Sequence, residues 1–167
     1  MAGTCGSLGS LTALHRAAAE ARAREAELWV VLAWQPPLGG PGSRGSVGGT
    51  PLLAGCRDAA VERLRGVLDT AFGAGRPDAP LAGLTVRATP GAALVDTVRD
   101  PGDLIVVGTG SRAPLLRALR PSVARYCLAH APCPVLAVPP SPLQADLDAV
   151  HRRNVWRLPL DAGDLSS

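Results

Sequence analysis

Two short segments carry residue types that could hold a phosphate group. One is Cys5-Gly6-Ser7, just ahead of an apolar-periodic stretch. The other is Gly108-Thr109-Gly110-Ser111-Arg112, just after the run Asp103 to Val107. Glycine permits the backbone turns that aim N–H groups at an anion. A helix that starts there adds the partial positive charge of its first turn. A glycine turn alone is a weak signal, because any tight strand-to-helix turn wants one. Other chemistry is thinner. The four cysteines, Cys5, Cys56, Cys127 and Cys133, have no CxxC spacing and read as free thiols. His15, His130 and His151 share no spacing with carboxylates that would hold a metal. Ser122 does not stand in a G-x-S-x-G elbow, so no catalytic residue is expected. His130 reads as a helix-end cap. Asp96, Asp100 and Asp103 read as capping or solvated groups.

The elements that must position these turns follow from periodicity. Residues 7–26 read as a helix, with Ser7 or Ser10 as N-cap and Leu11, Leu14, Ala18 and Ala21 on one face. Leu28 to Trp34 is a continuous apolar run, which suits a strand covered on both faces. Residues 35–51 read as loop. A second helix spans about 52–73, ended by Gly73 and Gly75 through a left-handed cap. A strand at 84–88, a helix at 92–99, a strand at 103–108, a helix at about 115–130 and a strand at 134–138 complete the order. Strands alternating with helices imply right-handed crossovers and an α/β fold with an open, mostly parallel sheet. Only Met1 to Thr4 precede the first helix turn, so the first strand is a stub. That shortage points to a translation start upstream of Met1, with genuine degeneration as the alternative.

The chain has 167 residues, 47% hydrophobic and 19% charged, which is one domain plus a tail. We divide it into a domain at 1–140 and a C-terminal extension at 141–167, with a short helix around 143–153 and a mobile end from Pro159. All 17 basic residues are arginine, which reads as the composition of a GC-rich genome. A net charge of +3 is no polyanion-binding signature. The basic face Arg112, Arg117, Arg120 and Arg125 reads as solvated surface, so nucleic acid is not an expected partner. Trp29 and Trp34 read as packing residues. No apolar run approaches a membrane span, and no export signal is present, so a cytoplasmic protein is expected.

The segment 103–138 adds something more specific. DLIVVGTGSRAPLLRALRPSVARYCLAHAPCPVLAVP resembles the C-terminal half of the universal stress protein family. His130-Ala131-Pro132-Cys133-Pro134-Val135-Leu136 is similar to that family's turn into its last strand. Gly6-Ser7-Leu8-Gly9-Ser10 with Ala13 resembles its first turn and helix. Leu32-Ala33-Trp34 fits the end of its second strand. The resemblance covers about residues 3–139. It implies a Rossmann-like sheet in the order 3-2-1-4-5, helices on both faces, and a homodimer formed through the last strand, Pro134 to Val138.

Some members of that family bind ATP, with the pattern G-x2-G-x9-G-(S/T) and an Asp after the first strand. Gly108 and Ser122 match the pattern. Ser111 and Pro121 stand where it has glycine, and Cys5 stands where it has Asp. Arg112 falls where many members have a basic residue, so a guanidinium could meet a phosphate. Ser111 resists a left-handed turn, at a cost of about 1 kcal/mol or more. Pro121 has no N–H to donate. Loss of the acid at Cys5 removes an acceptor at the nucleoside end. The resemblance therefore implies a stress-response regulatory binding protein with weak or absent nucleotide binding; an ATP-binding, slowly hydrolysing member is the alternative. If adenine nucleotide binds, Gly108, Gly110, Ser111, Arg112, Ser122 and Val123 surround its phosphates, and Ala33 and Cys5 lie nearer the nucleoside.

Overall fold

The computed structural model describes residues 1–36, 50–73, 75, 77–109 and 122–141. Its elements are β1 (Ala2–Gly3), α1 (Leu8–Ala23), β2 (Leu28–Trp34), α2 (Thr50–Phe72), β3 (Leu81–Arg87), α3 (Pro90–Thr97), β4 (Ile105–Gly108), α4 (Val123–His130) and β5 (Val135–Val138). The five strands form one parallel sheet in the order β3-β2-β1-β4-β5. Strand order therefore reverses between β1 and β4, the place where open α/β sheets hold ligands.

Alternation along the strands divides the core. Leu28, Val30 and Leu32 of β2, with Val106 of β4, face Leu14, Ala17, Leu64 and Val67 of α1 and α2. Val31, Ile105 and Val107 face Leu94, Ala124 and Cys127 of α3 and α4. Successive strand residues point to opposite faces, so one apolar run serves both layers. That is why β2 needs no polar alternation. Alanines at 13, 17 and 21 let α1 lie close to the sheet, and few aromatics are needed.

β1 is short, as expected. Ala2 pairs with Val30 and Val106, Gly3 pairs with Val31, and the Val106 amide donates to the Met1 carbonyl at 2.8 Å. The two-residue strand still joins both halves of the sheet. Gly3 leaves room for the other layer: a β-carbon at that position would sit 2.8 Å from Leu94 Cδ1, so the leucine side chain would have to shift.

Several boundaries differ from the sequence reading. β3 runs over 81–87 rather than 84–88, because all seven residues of β2 find partners from Leu28↔Leu81 to Trp34↔Arg87. β4 starts at Ile105 rather than Asp103. The Asp103 carboxylate instead accepts the Arg99 amide at 2.9 Å and the Asp100 amide at 3.2 Å, which shapes the turn before the strand. α3 covers 90–97 rather than 92–99, with Pro90 at its first turn, where a missing N–H is harmless. The expected helix at 115–130 is described only from Val123. Residues 115–121 and the expected helix at 143–153 lie outside the described residues, as does the tail from Pro159.

Candidate functional site

The carboxyl ends of β1 and β4 meet at the first turn of α1. Thr4, the residue after β1, is buried and donates its amide to the Val31 carbonyl at 3.0 Å. Gly6 follows with φ +81, a left-handed conformation suited to glycine. A β-carbon there would also stand 3.2 Å from Val67 Cγ2. Ser7 is the N-cap of α1, and its side chain accepts the Ser10 amide at 3.3 Å. The buried Ser10 hydroxyl donates to the Ser7 carbonyl at 2.8 Å. The loop is thus organised by its own hydroxyls.

Cys5 lies on the exposed side of this turn. Burial of its sulfur pushes the thiol pKa up, but the Ser7 hydroxyl and amide, the Ser10 hydroxyl and the charge of Arg63 outweigh it, and the net shift is down. Arg63 reaches across from α2, and its Nη2 donates to the Cys5 carbonyl at 2.8 Å. Arg63 and Val67 are four residues apart on α2, hence on one helix face. Together they hold Cys5 and Gly6 from the same side.

Gly108 ends β4 against the start of α1. A β-carbon at Gly108 would be 2.6 Å from the Gly9 carbonyl oxygen and 3.2 Å from its carbon. This glycine therefore has a packing reason independent of any ligand. The Thr109 amide donates to the Val138 carbonyl at 2.9 Å, continuing the β4–β5 ladder. Ser122 is the N-cap of α4, and its side chain makes no cap hydrogen bond. Val123 is half-buried and packs against the α3–α4 core, which turns its side chain away from the role of phosphate neighbour and leaves its backbone for it. Ala33 is half-buried near the end of β2 and packs on the same layer. Gly110, Ser111 and Arg112, with Pro121, lie outside the described residues.

The structure thus brings Cys5, Gly108 and the first turn of α1 together. Sequence reasoning missed Arg63. Only its position four residues before an inward-facing Val67 hinted at a contact with the sheet. His130 was read as a helix-end cap, and its Nδ1 lies 2.9 Å from the Tyr126 carbonyl oxygen in the last turn of α4. Trp29 was read as packing; its indole donates to Glu27 at 2.7 Å and the Arg99 guanidinium lies 4.2 Å from its ring centroid. Among the described residues no group of three or more His, Cys, Asp or Glu could hold a metal. Among them, too, no helix is long and apolar enough to cross a membrane.

An open parallel sheet with this strand order and a glycine-lined switch point defines a Rossmann-like α/β protein. The family model of the Universal stress protein family matches residues 1–139, and the chain belongs to that family. It is similar to a universal stress protein solved in complex with cAMP, at 27% identity, covering 84% of this chain and 94% of that one, with a TM-score of 0.60. It is also similar to a universal stress family protein from Burkholderia pseudomallei, at 25% identity over 83% of this chain and 92% of that one, with a TM-score of 0.55. The universal stress protein from Archaeoglobus fulgidus shares the fold at 22% identity, 81% and 94% coverage and a TM-score of 0.54. Among curated proteins no sequence match was found.

Proposed function

We propose that this chain is a non-enzymatic regulatory binding protein of the stress response, cytoplasmic and homodimeric through β5, whose carboxyl-edge cleft is a poor ATP site. The observation that carries this is Cys5. A cysteine whose backbone carbonyl accepts from Arg63 replaces the carboxylate that the family pattern places at the nucleoside end, and a thiol is a weak acceptor. Ser111 and Pro121 depart from the same pattern in the second glycine turn. Residues Gly108, Gly110, Ser111, Arg112, Ser122 and Val123 would surround any phosphates, with Ala33 and Cys5 toward the nucleoside. Assembly through β5 is supported by its place at the sheet edge and by Leu128 of α4, an apolar side chain 64% exposed.

A second reading has its own support. A relative at 27% identity is complexed with cAMP, which favours a nucleotide-modulated protein over one with no small ligand. Calorimetric titration of the purified full chain with ATP and with cAMP separates the two. The expected result is no measurable ATP binding in the low micromolar range. A low micromolar ATP dissociation constant would overturn the degenerate-site reading. Saturable cAMP binding with weak ATP binding would select the second reading.

A further inference from the structure

Two cysteines share one core layer at the amino edge of the sheet. Cys127 and Ala124 are the buried residues of α4, one turn apart on its inward face. Cys127 packs in the cluster that holds Leu94 and Ile105. Cys133 stands in the connection from α4 to β5. Ala131, Cys133 and Val135 recur at every second residue, and all three pack against that same cluster. The Ile105 amide donates to the Pro134 carbonyl at 3.0 Å and lies close enough to the Cys133 sulfur to favour its thiolate. Ile105 thus places the two thiols on one side of β4. Charge on Cys133 is also felt at Cys127, where it adds to the effect of burial.

Their exposures differ. Cys127 is 0% exposed, whereas Cys133 is half-buried. A reagent in solution therefore reaches Cys133 and not Cys127. In the folded protein, Cys127 is open to oxidation only through a neighbouring sulfur. Cys5 follows β1 at the opposite edge of the sheet and does not compete for it. Cys133 belongs to neither α4 nor β5, so a bond to it leaves the helix and the β4–β5 pairs in place.

We propose that Cys133 and Cys127 form a dithiol–disulfide couple that exchanges with small-molecule disulfides, with Cys133 as the attacking thiol and Cys127 as the resolving one. The Cys133 sulfur attacks one sulfur of the small disulfide. Its S–S bond breaks, and one small thiol leaves with the Cys133 proton. The Cys127 sulfur then attacks the Cys133 sulfur, and the second small thiol leaves with the Cys127 proton. Two protein thiols are oxidised and one disulfide is reduced to two thiols. Burial raises both protein thiol pKa values, so exchange is slow at neutral pH and speeds up as the thiols ionise. Two thiols held on one layer meet at a high effective concentration, so ring closure outruns a second attack from solution. The bond ties the end of α4 to the entry of β5.

The test is incubation of the full chain with oxidised glutathione at about pH 8.5, the ordinary thiol pKa. Acid quench, alkylation under denaturing conditions and peptide mass spectrometry without reduction follow. Cleavage after Arg125 and Arg152 leaves both cysteines in one tryptic peptide. The expected product is that peptide, lighter by two hydrogens and bearing neither alkyl group nor glutathione. It should exceed the peptide with glutathione on Cys133 by about tenfold or more. Cys133→Ser should leave Cys127 reduced, and Cys127→Val should stop Cys133 at the glutathione adduct. Circular dichroism checks that each variant is folded. Glutathione retained on Cys133 of the parent protein, no reaction at either cysteine, or a bond from either to Cys5, Cys56 or a second chain would overturn the inference. Oxidation of Cys127 in folded Cys133→Ser would overturn it as well.

Discussion

Gly108 ends β4 where a β-carbon would lie 2.6 Å from the carbonyl oxygen of Gly9. The contact is backbone against backbone, so no side-chain rotation can relieve it. Gly108→Ala should therefore push α1 from the sheet and destabilise the fold by about 1–3 kcal/mol, the usual cost of overpacking. Urea denaturation of the unliganded protein measures this. A loss below about 0.5 kcal/mol, the scale of an ordinary surface substitution, would show that the first turn of α1 yields easily. In that case the glycine would answer to a ligand rather than to packing.

This contact also shows what the sequence could and could not say. Leu28 to Trp34 announced a buried strand because seven apolar residues in a row leave no polar face. Ser7 and Gly73 announced helix ends through capping chemistry, and each stands at a helix end in the structure. β3 was harder, since Leu81-Ala82-Gly83 has weak strand preference and forms a strand only through pairing with Leu28 to Val30. At the site, Cys5 and Gly108 were visible through the family pattern. Arg63 was not, because a single arginine on an exposed helix face looks solvated until the tertiary fold brings Cys5 beneath it.

The end of α1 offers a stabilising change. Glu25 has φ 53, its amide donates to the Arg22 carbonyl at 3.2 Å, and the Ala26 amide donates to the Ala21 carbonyl at 2.9 Å. These are the two bonds of a Schellman cap, whose left-handed position normally holds glycine. A glutamate there bears a conformational cost of roughly 1 kcal/mol. Glu25→Gly should raise stability by about 0.5–1 kcal/mol, because the left-handed strain exceeds the added chain entropy. A thermal midpoint unchanged or lowered in Glu25→Gly would mean that the glutamate side chain stabilises this corner in another way.

The thiols should separate by reactivity. The Cys5 thiol pKa lies below the usual value, while burial, with the neighbouring Cys133, pushes Cys127 up, and burial, with the charge of Asp103, pushes Cys133 up. The thiolate is the reacting species, so lowering the pKa shifts the rise of rate toward lower pH. Brief exposure of the native protein to iodoacetamide across pH 6 to 9, a range spanning the ordinary thiol pKa of about 8.5, should label Cys5 before Cys133 and Cys127 at every pH. Its rate should level off at a lower pH than that of Cys133, and Cys127 should stay unlabelled because it is fully buried. Peptide mass spectrometry reads these three of the four cysteines separately. Equal labelling of Cys5 and Cys133 at neutral pH would refute the assignment.

The last strand gives the test of assembly. The Ile105 amide donates to Pro134 and the Thr109 amide to Val138, so residues 134, 136 and 138 direct their polar groups at β4. In a parallel ladder the alternate residues, Val135 and Ala137, then direct theirs outward to an open edge. An open edge is a template for pairing with a second chain. Ala137→Pro removes one outward N–H without touching the β4 ladder, and proline is tolerated at such edge positions. If β5 forms the dimer interface, this variant should keep its circular dichroism spectrum while its dimer dissociation constant rises by about tenfold or more, because a two-fold axis repeats the lost hydrogen bond in both subunits. Analytical ultracentrifugation measures both states. An unweakened dimer in Ala137→Pro would place the interface elsewhere, and a parent protein that stays monomeric at high concentration would remove the dimer from the proposed function altogether.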